Sequence, residues 1–295
     1  MLSILIPVYN YDVRPLVLEL HKQCLECGIE FEILVQDDAS KSLKSIENQQ
    51  INDLKYCSYF ENSTNLGRGN NINLLAFRSK FEWLLILDCD MMPTSTQYIS
   101  NYLEACANSN SKLFFGGISY NKDEANFGNL RYVYGIKRES LSLEARILKH
   151  NFGALTSNLL VRKALFLENK FNEKIHNYGF EDILFLYNLQ LKQEFVHHLC
   201  NPLFHLNLEN SQVFMDKMKY SMQNLKFIID QNPNIIPYIK LADTFSILKK
   251  MRLHNVVYRI YALFEKDIKR NLTSKKPNLI LFDIYKLCNF IKLYR

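Results

Sequence analysis

Three short apolar-rich runs, Ser3–Val8, Glu32–Gln36 and Trp83–Leu87, alternate with stretches of helical periodicity at Val13–Cys27 and Asn70–Lys80. Runs of five or six residues have the length of a strand and fall short of a core helix. The order strand, helix, strand therefore predicts an α/β layer structure around a mostly parallel sheet. Further strands are expected at Tyr56–Phe60, Lys112–Gly116, Thr156–Arg162 and near Phe195–Leu199. A helix is expected at Glu181–Leu191, and helices dominate from Ser211 onward. The charged and polar segment Asn121–Lys149 is expected to be a partly helical, mobile loop over the site.

In an open parallel sheet, ligands bind beyond the carboxyl ends of the strands. Three strand ends carry polar groups: Tyr9-Asn10, Asp37-Asp38 and Asp88-Cys89-Asp90. They should share one rim. On a strand, Asp88 and Asp90 face the same way and Cys89 the other, so Cys89 is expected only to pack. Two like charges on one face call for a positive partner. A solvated turn closed by Pro93 would also accommodate them.

Seven fragments then follow one another: SILIPVYN (3–10), ILVQDDAS (33–40), NLGRGNNIN (65–73), ILDCDMMP (86–93), GGISY (116–120), YGFEDILF (178–185) and NPLFH (201–205). In that order they resemble the family-2 glycosyltransferases with the GT-A fold, from Leu2 to about Asn224. The resemblance implies a Rossmann-like mixed, mostly parallel sheet, a nucleotide-diphosphate-sugar donor, most often a UDP-sugar, and Mn2+ or Mg2+. It implies inverting transfer of a hexose or N-acetylhexosamine to a hydroxyl of a glycan or lipid-linked glycan, in surface polysaccharide or lipopolysaccharide synthesis. The expected organisation is a catalytic domain at 1–225, with a nucleotide-sugar half at 1–120 and an acceptor half at 121–225. A basic helical region follows at 226–295.

The chemistry asks for specific groups. Uracil needs a flat apolar face and an acceptor for its ring N–H; Tyr9 and Asp38 match, with Pro7 in the same wall. Alternatively, Tyr9 ends a core strand and Asp38 or Ser40 caps a helix. Gly67 and Gly69 let the backbone bend around Arg68, which either reaches the base or diphosphate or is an exposed loop arginine. By resemblance, Asp90 is the direct metal ligand, and Asp88 leans toward the ribose or the metal's waters. Hard carboxylate oxygens suit Mg2+ or Mn2+. His205 matches a family histidine that returns to the metal or diphosphate, and imidazole suits Mn2+ better; a satisfied histidine near a strand end is the alternative. Glu181 and Asp182 open a helix, where the dipole favours acids in any case. The resemblance makes Asp182 the general base that takes the acceptor proton, with Glu181 orienting the acceptor. Gly116 and Gly117 would close on the sugar, with Tyr120 lining that pocket.

The chain has 295 residues and is 48% hydrophobic, enough for a substantial core. Seven cysteines form no disulfide framework, and Cys24-x-x-Cys27 has no partner pair at zinc spacing, so a reducing cytoplasm is expected. The opening MLSILIPVYN reads as a buried strand and not as a secretory leader. Residues 241–295 hold twelve cations against four acids, leaving the remainder net acidic. In 278–295, polar positions recur every third residue, with Lys286, Lys292 and Arg295 among large apolar residues. That helix either lies on an anionic membrane, making the protein peripheral on the inner face, or packs on the catalytic core. No nucleic-acid-binding module accompanies the charge. Two other readings stay open. ILDCDMMP resembles the first motif of haloacid-dehalogenase phosphatases, although Met92 stands where that motif has Thr or Val. A non-catalytic protein of the same fold that only holds a nucleotide or glycan is the second.

Overall fold

The structure is a computed structural model describing residues 1–122, 128–175 and 178–295. Its strands are β1 (Leu2–Val8), β2 (Phe31–Asp37), β3 (Cys57–Glu61), β4 (Trp83–Leu87), β5 (Met91–Pro93), β6 (Leu113–Phe115), β7 (Ile118–Ser119), β8 (Asn158–Arg162), β9 (His197–His198) and β10 (Leu203–His205). Its helices are α1 (Arg14–Glu26), α2 (Leu43–Asn48), α3 (Arg68–Arg78), α4 (Tyr98–Ala107), α5 (Leu130–Tyr134), α6 (Leu143–Ile147), α7 (Lys163–Leu167), α8 (Glu181–Leu191), α9 (Ser211–Gln231), α10 (Lys240–Lys250), α11 (His254–Leu272) and α12 (Leu279–Lys292).

The chain forms two compact units. The first comprises Met1–Asn121, Ser140–His176 and Glu181–Asn207; the second comprises Lys122–Glu139, Asn177–Phe180 and Leu208–Arg295. The first unit is built on a seven-stranded sheet in the order β3-β2-β1-β4-β8-β6-β9. β3, β2, β1 and β4 run parallel, while β8 is antiparallel to both β4 and β6. β1 and β2 are buried at every position, as their continuous apolar centres require. A second, three-stranded sheet, β5-β10-β7, extends from the end of β4.

The second unit is helical. Its core gathers Leu130, Phe214, Met215, Tyr261, Phe282 and Tyr285, among others, from α5, α9, α11 and α12. The boundary at 225 falls inside α9, which runs unbroken from an Asn210 cap whose side chain accepts the Val213 N–H. In the last helix Phe282, Tyr285, Cys288, Phe290 and Ile291 are buried, Lys286 lies over the Tyr134 and Phe282 rings, and Ile280 is exposed. Of the segment expected to cover the site, 128–149 holds α5 and α6, and 123–127 lies outside the described residues. No helix among the described residues is long and apolar enough to cross a membrane.

Candidate active site

The parallel register sets the strand ends side by side: Val8 pairs with Asp37, and Asp37 with Glu61. β4 lies on the other side of β1, with Leu5 opposite Ile86. Tyr9, Asp38 and Asp88 each follow one of these three adjacent strands. The chain leaves β1 and β2 through left-handed residues, Asn10 at φ 52° and Ala39 at φ 63°. Such conformations are costly without glycine and are held here by hydrogen bonding. The Asn10 N–H donates to Ser40 Oγ at 2.7 Å, and the Ser40 N–H donates to Asp37 Oδ1 at 2.6 Å. Pro7 is buried in β1, whereas Tyr9 is 55% exposed.

Asp38 is only 4% exposed, and protein donors engage both its oxygens. Asn62 Nδ2 and the Leu66 N–H donate to Oδ1 at 3.0 and 2.8 Å, and the Gly67 N–H donates to Oδ2 at 2.9 Å. The carboxylate ties down the loop that enters α3. A base N–H would share Oδ2 with the Gly67 N–H, the one donor described on that oxygen. Gly67, at φ +83°, makes the left-handed turn that starts α3 at Arg68.

Arg68 points into the rim and is no surface arginine. Its Nε donates to Asp88 Oδ1 at 2.8 Å, and its Nη2 stands 2.6 Å from the same oxygen. Nη1 donates to Thr156 Oγ1 at 2.9 Å and lies 3.8 Å from Glu181 Oε1. Burial acts to lower the guanidinium pKa, but Asp88 and Glu181 outweigh it and raise the value. The cation that Asp88 needed is therefore Arg68, and Asp88 Oδ1 is committed to it.

Glu181 is 7% exposed at the start of α8. Burial, and then the neighbouring Asp182 charge, push its carboxyl above the ordinary range against the pull of Arg68. Asp182 is also raised, chiefly by burial, with Arg68 opposing. Its Oδ1 accepts the Ile183 N–H at 2.8 Å, which orients the group. Asp182 is the more accessible of the two acids, and Glu181 braces Arg68. The residue before them, Phe180, is left-handed at φ 69°.

His205 reaches Asp90 through strand pairing. β10 runs antiparallel to β5 with His205 opposite Met91, and the Leu206 N–H donates to the Asp90 carbonyl at 2.9 Å. His205 Nε2 then stands 3.7 Å from Asp90 Oδ2, and Tyr120 stacks on the imidazole at 5.5 Å. Two ligands about 2.1 Å from one divalent cation lie roughly 3 Å apart when adjacent and roughly 4.2 Å apart when opposed. At 3.7 Å the pair stands about 0.7 Å wider than adjacent ligands of one octahedral ion, so a shared Mn2+ or Mg2+ would require the two side chains to approach. Among the described residues no group of three or more His, Cys, Asp and Glu forms a complete metal cage. The remaining ligands would be water and donor oxygens. Tyr11 is a neighbour that sequence reasoning missed; burial, and then the Asp90 charge, push its phenol up to about 12. Thr156 was missed too, because it lies in a loop before β8 with no motif around it.

Gly116 and Gly117 each make a close packing contact. A Cβ on Gly116 would stand 2.2 Å from the Asn201 carbonyl oxygen, so only glycine fits. Gly117, at φ +101°, is buried under the Arg146 guanidinium, and its carbonyl accepts Asn158 Nδ2 at 2.8 Å. The pair packs the junction of the two sheets.

Residues 3–169 match the family model described as Glycosyl transferase family 2. The chain belongs to that family. Membership sets aside the phosphatase reading, and Met92 accordingly lies in β5, paired with Phe204. An uncharacterized glycosyltransferase of Haemophilus influenzae is 28% identical over 174 residues, 57% of this chain and 55% of that protein. Chondroitin synthase of Escherichia coli is 31% identical over 126 residues, 40% of this chain but 17% of the synthase. The chain thus spans about half or less of these relatives. Crystal structures of S. aureus TarS 1-349, alone and with UDP-GlcNAc, superpose with a TM-score of 0.53 at 16% identity; the free form covers 99% of this chain and 89% of that one, the complex 99% and 90%. The mannosyltransferase PcManGT from Pyrobaculum calidifontis, in complex with GDP-Man and Mn2+, superposes at 0.55 with 12% identity, covering 99% and 86%. The fold is the GT-A fold of these glycosyltransferases.

Proposed function

We propose that this family-2 glycosyltransferase moves a hexose or N-acetylhexosamine from a UDP-sugar to a hydroxyl of a glycan or lipid-linked glycan, with inversion. The observation that carries the reading is the cluster of Arg68, Asp88, Glu181 and Asp182 at the carboxyl rim of the sheet. One guanidinium among three carboxylates, with Asp90 nearby, leaves the rim net acidic. An anionic diphosphate can dock there only with additional positive charge. Asp90 and His205 would hold that charge as a divalent cation, which neutralises the departing diphosphate when bound.

The chain's own groups do the rest. Tyr9 offers its exposed ring to the base, and Pro7 and the Asp38-tethered loop shape the wall behind it. Asp88 and Glu181 hold Arg68 rigidly beside the diphosphate position. Asp182 takes the proton from the acceptor hydroxyl; its raised pKa brings a carboxylate closer to the strength that proton abstraction needs. A single base on the face opposite the leaving group suffices for inversion, as in inverting hydrolysis. The UDP-GlcNAc in the TarS structure supports a nucleotide-sugar donor, and Mn2+ in the mannosyltransferase complex supports the metal.

The test is Asp182→Asn. Transfer should fall about 10²–10⁴-fold while UDP binding is retained. Near-normal transfer would remove Asp182 as the base. A thermal-shift panel of UDP-, GDP- and dTDP-sugars with and without Mn2+ assigns the donor.

A further inference from the structure

The second unit presents an apolar stripe to solvent along one helix. In α11, Val256, Ile260, Leu263 and Phe264 follow at i, i+4, i+7 and i+8, with Leu253 one turn earlier; all are exposed, Leu263 by 79% and Phe264 by 55%. This spacing places them on one face. The adjoining face carries Tyr261, Ile268 and Leu272, which are buried in the unit's core. The stripe is thus not a misplaced core face: the helix already has its packing partner.

A second row runs alongside. Arg252, Arg259, Lys266 and Arg270 recur at helical spacing on one flank of the stripe, and all are exposed. The two acids of the helix are paired, Glu265 with Lys269 and Asp267 with Arg270; Asp267, four residues after Leu263, ends the apolar stripe. Apolar residues beside a cationic row are what an anionic lipid surface complements: acyl chains take the first and headgroup phosphates the second. A second copy is a poor occupant, since antiparallel pairing of two stripes would lay the same cationic rows side by side. At 19 residues with this charge, the helix lies in the interface and does not span it.

We infer that α11 is a membrane-surface helix that seats the protein on anionic lipid through Leu253, Val256, Ile260, Leu263 and Phe264, flanked by Arg252, Arg259, Lys266 and Arg270. The role expected for the final helix falls to its neighbour, because α12 spends its apolar side on the core. The inference requires no step of the transfer reaction.

The experiment is co-sedimentation of the full chain with vesicles of phosphatidylcholine alone or mixed with phosphatidylglycerol, without donor or acceptor. Binding is expected to the mixed vesicles and to weaken with salt. Leu263→Glu with Phe264→Glu should abolish it; both side chains are exposed, so the helical far-UV circular dichroism should be unchanged. Arg259→Gln with Lys266→Gln should weaken binding about 30-fold on the mixed vesicles. Absence of binding, equal binding to neutral vesicles, or unchanged binding by either double variant overturns the inference. Concentration-dependent self-association lost in the Leu263/Phe264 variant, without vesicle binding, assigns the stripe to a second copy instead.

Discussion

Asp38→Ala separates two uses of one carboxylate. In the structure Asp38 is 4% exposed and accepts from Asn62, Leu66 and Gly67. The three donors differ in what remains after truncation. Asn62 Nδ2 keeps Asn71 Oδ1 at 3.0 Å, and the Gly67 N–H keeps Asn65 Oδ1 at 3.2 Å. The Leu66 N–H has no such second acceptor among the hydrogen bonds described. The cost is one stranded amide at about 1–3 kcal/mol plus two weakened charge-assisted bonds, for a total of about 3–5 kcal/mol. Urea unfolding followed by fluorescence reads the correct unit, because the single tryptophan, Trp83, lies in β4. With a slope of about 2 kcal/mol/M, the midpoint should drop by about 1.5–2.5 M. A loss below about 1 kcal/mol, a large surface-type tolerance, would refute the tether. If the variant is that stable and UDP binding disappears, Asp38 is a ligand contact and not a loop anchor.

Asn158→Leu should cost about 2–4 kcal/mol in the same assay, since Asn158 is fully buried, accepts from Tyr98 and Tyr102 and donates to Gly117 and Asn201. Asp90→Ala should weaken Mn2+-dependent UDP binding in a titration and leave metal-free binding unchanged; equal affinities with metal would count against the ligand role. A buried carboxyl whose folded pKa is raised releases its proton later than the unfolded chain does, so stability should fall as pH rises above the ordinary value of 4.5 for Glu181. Glu181→Gln should flatten that decline in urea midpoints measured between pH 4.5 and 8, and an unaltered slope would mean that Glu181 does not carry it.

The rim was legible because its rule is general: apolar strands in parallel end on one side, and the polar residues that follow them meet there. β1, β2 and β4 needed only their apolar cores and the helices between them. The pairing inside the rim was not legible. Arg68 and Asp88 are twenty residues apart, and no periodicity reports that a guanidinium at the first turn of α3 reaches the end of β4. Thr156 gave no signal, and β5, β7 and β10 are two or three residues long, too short for alternation to register. The final helix stayed open between two readings for a different reason. Its charges recur among large apolar residues whether it lies on a membrane or inside a bundle, and only packing distinguishes the two. Gly116 and Gly117 were recognised as close-approach positions, but what approaches is Asn201 and Arg146.

The antiparallel pairing that sets His205 opposite Met91 also has a consequence in time. Asp90 and His205 are separated by 115 residues, a stretch that takes about 6–23 s to synthesise at 5–20 residues per second. During that interval a nascent chain can complete β1 to β4 and expose Asp90 without its imidazole partner. Whatever cation Asp90 attracts while the chain is being made, the pair that would hold it cannot exist until β10 has emerged and zipped onto β5.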